Sequence, residues 1–99
     1  MHSLKIHRSY RSVVAICDLE LLGKRFEEGN RQLDIRENFY KDQEISTEDL
    51  IKIIKRQRVE DASFNIIGEK SVQAALETEI ITNDSIGKVN NIPFALTLL

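Results

Sequence analysis

The stretch from Ser12 to Lys24 constrains this chain more than any other. Val13 to Cys17 are five small or β-branched apolar residues in a row, the pattern of a strand buried on both faces. Asp18 follows at once and suits an N-cap. Leu19, Leu21 and Leu22 then fit one short helical turn, and Gly23 stands where a left-handed C-cap would be. A buried strand that breaks directly into a turn belongs near the middle of a sheet, so the chain needs neighbouring strands on both sides and cover on both faces.

At 99 residues the chain is read as a single compact domain, 1–99. Its 41% hydrophobic and 30% charged residues suit a globular protein and are too apolar for disorder. One cysteine excludes an internal disulfide, and two histidines without a Cys pair give no zinc pattern; no cofactor and no metal are expected. The apolar runs are shorter than a membrane span and no signal peptide opens the chain, so the expected compartment is the cytoplasm and no membrane partner is expected. A net charge of −2 gives no bulk attraction to nucleic acid. The charges are unevenly spread, however. Lys5, Arg8 and Arg11 precede the first acid, Asp18, and Lys52, Lys55, Arg56 and Arg58 form a second basic group. Together they offer a positive patch; alternatively, the second group complements a helix C-terminus and solvates its outer face.

Along the chain, Leu4 and Ile6 alternate with Lys5 and His7, a half-buried strand that pairs with Val13–Cys17 as a hairpin through Ser9–Ser12. His2 reads as a frayed terminus and His7 as a solvated histidine. Gly29-Asn30 marks a turn, Leu33 and Ile35 a short strand, and Phe39-Tyr40 an apolar plug under a long loop. Ser46-Thr47-Glu48-Asp49 starts a helix whose buried stripe is Leu50, Ile51, Ile53 and Ile54 and which stops near Arg58. Glu60–Phe64 reads as a connector or a short strand, and Asn65 as the cap of a second helix from about Ile66 to Thr78, with Gly68 in its first turn. Asn90-Asn91 has the form of a two-residue hairpin turn into a return strand, Ile92–Leu99, with Pro93 marking an edge or a bulge. The expected fold is α+β: a mixed or antiparallel sheet of about five strands with two main helices on one face. The expected core includes Val14, Ile16, Leu22, Ile51, Ile54, Val72 and Leu76.

The series Ala15-x-Cys17-Asp18-x-x-Leu21-Leu22-Gly23-Lys24, then Phe39-Tyr40, then Asn65-Ile66-Ile67-Gly68-Glu69 with Val72, resembles the archaeal domain-of-unknown-function family 424 over nearly the whole chain. The resemblance implies an archaeal cytoplasmic protein with a compact α/β-type fold and no established activity. It also implies a link to translation or ribosome biogenesis, through the neighbourhood in which the family's genes are found. Family members close with a Gly-Val-Pro-His-Ala-Gln type of segment. Here Asn91-Ile92-Pro93-Phe94-Ala95-Leu96 stands in its place, with Phe94 and Leu96 where the imidazole and amide would be.

Two classes of function follow. One is a non-enzymatic accessory or binding module linked to translation or ribosome biogenesis, with a ribosomal particle, RNA or a translation-factor protein as partner and Lys52, Lys55, Arg56 and Arg58 as RNA contacts. The other is a small enzyme or an anion-binding protein. Cys17 beside Asp18 would be its nucleophile, with His7 as the candidate base on a neighbouring strand. The free amides of a helix start at Asn65–Gly68 would hold a phosphate or a partner's carboxylate. Cys17 is also well explained as a small buried hydrophobe, and Asn65–Gly68 as an ordinary capped helix start. Asn65, Gly68, Cys17, Asp18 and Lys24 are the candidate ligand or partner residues; no residue is assigned a catalytic role.

Overall fold

The computed structural model describes residues 1–97. In chain order the elements are β1 (His2–His7), β2 (Val13–Asp18), β3 (Arg25–Glu28), β4 (Arg31–Asp34), α1 (Glu37–Tyr40), β5 (Gln43–Ile45), α2 (Thr47–Val59), β6 (Ser63–Ile67), α3 (Glu69–Glu77), β7 (Gly87–Val89) and β8 (Ile92–Thr97). Residues 19–21 and 83–85 form single 3₁₀ turns.

The fold is α+β. Among the described residues, six strands form a mixed sheet in the order β5-β1-β2-β6-β8-β7, and β3 and β4 form a separate hairpin. The run Val13–Cys17 lies inside this sheet as its composition requires, antiparallel to β1 and parallel to β6. Val14 and Ile16 point toward the helices, Ala15 and Cys17 toward the opposite face, and all four are wholly buried. On the helix side, Leu50 and Ile54 of α2 and Val72, Ala74 and Ala75 of α3 pack on Leu4, Val14, Ile16, Phe64, Ile66 and Ala95. Burial of these apolar side chains is the main term holding the layers together. Leu22, Ile51 and Leu76, expected in the core, are only half-buried at its margins.

The opposite face is covered in part. Phe26 and Leu33 of the hairpin, Leu21, and Phe39-Tyr40 of α1 pack on Ala15, Cys17 and Ile67. Phe39 and Tyr40 thus act as the plug their sequence implied. The charged segment at 25–28, which shows no apolar pattern, is a strand because Gly29, at φ +60°, turns it back against β4.

Several readings need correction. Asn65 does not cap a helix. It lies in the middle of β6, between Ala15 of β2 and Leu96 of β8, and α3 begins only at Glu69. Phe64 to Ile67 contain a short apolar run that fits a buried strand as well as a helix, and Gly68 at φ +112° breaks the chain between the two. The expected mixed sheet of about five strands with two main helices is present; it has six strands, counting β6 and the short edge strand β5. Pro93 marks neither an edge nor a bulge: β8 lies between β6 and β7. Its carbonyl accepts from Gly68 N–H at 2.8 Å, just past the end of β6, where its missing N–H breaks no ladder. His2 is not frayed but wholly buried, and His7 is half-buried with its ring stacked on Phe39, centroids 4.3 Å apart.

Other local readings hold. Ser46 accepts from Asp49 N–H at 3.2 Å and starts α2. Gly23 takes φ +83°, and Asn90 and Asn91 take φ +50° and +67° in a two-residue hairpin turn. The return strand is described to Thr97, so Leu98 and Leu99 of that reading lie outside the described residues. Among the described residues, no helix is long and apolar enough to cross a membrane.

Candidate functional site

The parallel pair β2 and β6 has two ends, and some of the residues singled out in the sequence lie at each: Cys17, Asp18 and Gly68 at the carboxyl end, Arg56 beside the amino end. At the carboxyl end, Asp18 leaves β2 on the helix side of the sheet. Its side chain makes no cap on the turn that follows it. Instead Oδ2 accepts from Lys70 N–H at 3.1 Å and Oδ1 from Ser71 N–H at 2.8 Å. Asp18 therefore caps α3 from another element, satisfying two amides that a helix start leaves open and placing a negative charge at the positive end of its dipole. Gly68 makes this approach feasible. A Cβ there would lie 2.3 Å from the Asp18 carboxyl carbon and 2.6 Å from each of its oxygens.

His2 completes the arrangement. One ring nitrogen, Nδ1, lies 2.8 Å from Ser71 Oγ, and the other, Nε2, lies 2.7 Å from Thr47 Oγ1. The ring ties β1 to the first turns of both α2 and α3. Desolvation lowers the pKa of His2, and the N-terminal ammonium lowers it further against the opposing pull of Asp18. On the rim, Lys70 Nζ donates to Glu20 Oε2 at 3.1 Å. That bond raises the pKa of Lys70, while Glu20 is held below the usual carboxylate range first by its own backbone amide and then by Lys70.

Chemically this cluster is closed. Cys17 is 0% exposed, and burial, followed by the charges of Asp18 and Glu20, pushes its thiol up to about 12. It is a protonated core thiol, without the exposure or positive surroundings of a nucleophile. His7, the candidate base, bonds the Phe39 carbonyl at 2.8 Å instead. Ser71 Oγ meets a histidine, but both are wholly buried and both ring nitrogens already face hydroxyls. The amides of Asn65–Gly68 form no helix start: they belong to the sheet, with Gly68 N–H bonded to the Pro93 carbonyl at 2.8 Å, and in the true first turn of α3 the amides of Lys70 and Ser71 hold Asp18. Lys24 stands apart: its side chain is exposed, and its backbone joins the Leu21 and Ile35 loops. Asn65 faces the other side of the sheet from Asp18. Among the described residues no group of three or more His, Cys, Asp or Glu is placed to hold a metal.

The amino end of the same strands is open. The loop between β1 and β2 carries Arg8 and Tyr10, and Tyr10 is fully exposed. With Ser12 and with Arg56, Gln57 and Glu60 at the end of α2, they line a recess of about 370 Å³. The structure thus unites one member of each basic group. Lys52 faces Glu48 at 3.9 Å, Lys55 is exposed, and Arg58 turns away to donate to the Thr78 carbonyl at 3.2 Å. Arg8 and Tyr10 were not among the candidate contacts. Their signal was present in the acid-free start of the chain, but only the β1–β2 register brings that loop against α2.

The comparisons agree with the fold. A crystal structure of an uncharacterized conserved protein from Methanopyrus kandleri is similar, with a TM-score of 0.85 and 27% identity, over 97% of this chain and 89% of that one. No curated protein matches the chain. The model of the proteins of unknown function called DUF424 matches residues 7–98, and the chain belongs to that family.

Proposed function

We propose that this is an archaeal cytoplasmic protein that works as a non-enzymatic binding module, contacting single-stranded RNA or an RNA-bearing ribosomal particle through the recess at Arg8, Tyr10 and Arg56. One observation carries the reading: two guanidinium side chains and a fully exposed aromatic ring converge on an open recess of about 370 Å³, on a chain whose net charge is −2. Arginines neutralise phosphates, and an exposed ring gives a base a face to stack on. Glu60 on the rim limits the patch to a small number of phosphates. The closed state of the Cys17, Asp18 and His2 cluster supports a binding role over an enzymatic one.

Anisotropy of a labelled single-stranded RNA, measured against salt, tests this. Affinity should fall as salt rises, and Arg8→Glu with Arg56→Glu should weaken it and flatten the log–log slope by about 1.4, for two single-strand phosphate contacts. Tyr10→Ala should cost roughly tenfold in affinity with the slope unchanged. The same double variant should no longer co-purify with ribosomal particles at low salt. RNA affinity and salt slope identical in wild type and double variant would refute the reading.

A further inference from the structure

Resting on the RNA reading, we propose that the open part of the sheet face opposite the helices holds one nucleobase of the bound strand, with Asn65 reading its edge and Arg31 facing its phosphate. The hairpin and α1 leave part of that face uncovered. There Leu33, Tyr40, Phe94 and Leu96 line a groove of about 180 Å³ with Asn65 and Ile67 of β6. That is below the roughly 300 Å³ at which pockets for drug-sized ligands begin, and it suits a single ring system.

Three observations define the occupant. First, the lining is apolar and aromatic except for Asn65. Its side-chain amide makes no hydrogen bond to the described residues, and its atoms reach solvent. An amide offers a donor and an acceptor side by side, the pairing that matches adenine N7 and N6. Second, the guanidinium of Arg31 lies 5.7 Å from the centroid of the Phe94 ring at one end of the groove. Arg31 is exposed and has no acidic partner among the described residues. A planar ring next to an unpaired cation is complementary to a nucleotide and not to an aliphatic ligand. Third, β6 runs from this end of the groove toward the recess. Ile67 pairs with Phe94, and Ser63 bonds Ser12 on the recess wall at 3.0 Å. The four residue steps between Ile67 and Ser63 span about 13 Å; the recess lies beside α2 and the groove on the opposite face, so a strand that fills both must also pass round the amino end of the sheet.

The experiment compares the octamers rA8 and rU8 on wild type, Leu96→Glu, Arg31→Glu and Asn65→Ala, with thermal unfolding as the control for folding. Leu96 is 56% exposed and Arg31 stands on the surface, so those two variants should unfold at the wild-type temperature. Wild type should bind rA8 more tightly than rU8. Leu96→Glu should lower rA8 affinity about tenfold, because it removes an apolar wall of the groove and puts a carboxylate beside the strand's phosphates. Arg31→Glu should flatten the salt slope by about 0.7, and Asn65→Ala should erase the preference for rA8. RNA bound with wild-type affinity, preference and slope by Leu96→Glu and Arg31→Glu would overturn the groove and leave the recess standing. If wild type binds neither octamer, recess and groove fall together.

Discussion

At the carboxyl end of β2 and β6, Asp18, Ser71 and His2 answer one another's hydrogen bonds inside the protein. At the amino end of the same two strands, Arg8, Tyr10 and Arg56 face solvent around a recess. Both ends contain residues that a sequence reader would pick for chemistry. What separates them is whether the polar groups already have partners. A carboxylate buried where it caps a helix and an imidazole buried between two hydroxyls are shut off from a ligand in solvent, and removing either costs stability. Exposed arginines and an exposed tyrosine hold no core together and can be changed without loss of the fold. The contrast makes the closed end a structural latch and the open end the place to look for a partner.

The sharpest way to break the contrast is at Gly68. Gly68→Ala places a methyl 2.3 Å from the Asp18 carboxyl carbon at φ +112°. A loss of roughly 3 kcal/mol or more is expected in urea unfolding, from backbone strain and the lost cap together. Asp18→Ala alone should cost about 1–2 kcal/mol. Because the second change removes the clash created by the first, the double variant should lose clearly less than the sum. Strict additivity would show that the two residues are not one device.

A smaller effect should appear with pH. The folded pKa of His2 lies below its ordinary 6.5, so the fold favours the neutral ring. Its contribution is fully present above the unfolded value of about 6.5 and is lost as pH falls below that toward the folded pKa. The stability of His2→Gln should be flatter than wild type in that window; equal slopes would remove His2 from the latch. The smallest expected change in stability is at the open end. Arg8→Glu with Arg56→Glu should move the unfolding free energy by no more than about 0.5 kcal/mol, whatever it does to RNA. A large loss there would make the recess a second latch.

The sequence carried the local devices well and the long-range ones poorly. Ser46, Gly23 and Asn90-Asn91 act on backbone within a few residues of themselves, so residue type and spacing were enough to place them. The start of α3 could not be read that way. Its cap is Asp18, 52 and 53 residues before the amides it serves, and no helix-start pattern exists locally after Gly68. Asn65 resembles a cap only because its true neighbours, Ala15 and Leu96, are remote in the chain. His2 looked idle for the same reason: its partners, Thr47 and Ser71, belong to two different helices. The candidate site was half visible, since each basic group stood out but not which member of one would meet which member of the other.

The remote cap on α3 also bears on how the chain acquires its structure. Nine residues are too few to hold a helix in water unaided. Its amides at Lys70 and Ser71 gain their acceptor only when β2 and β6 lie side by side, a pairing that closes a loop of about fifty residues. Closing such a loop carries an entropic cost that precedes any return from its contacts, which places this step late and makes it slow. Hydrogen exchange at Lys70 and Ser71 should accordingly report the opening of the whole molecule, while the first-turn amide of Asp49 in α2, held by Ser46 next to it in the chain, does not depend on that pairing and should exchange more readily.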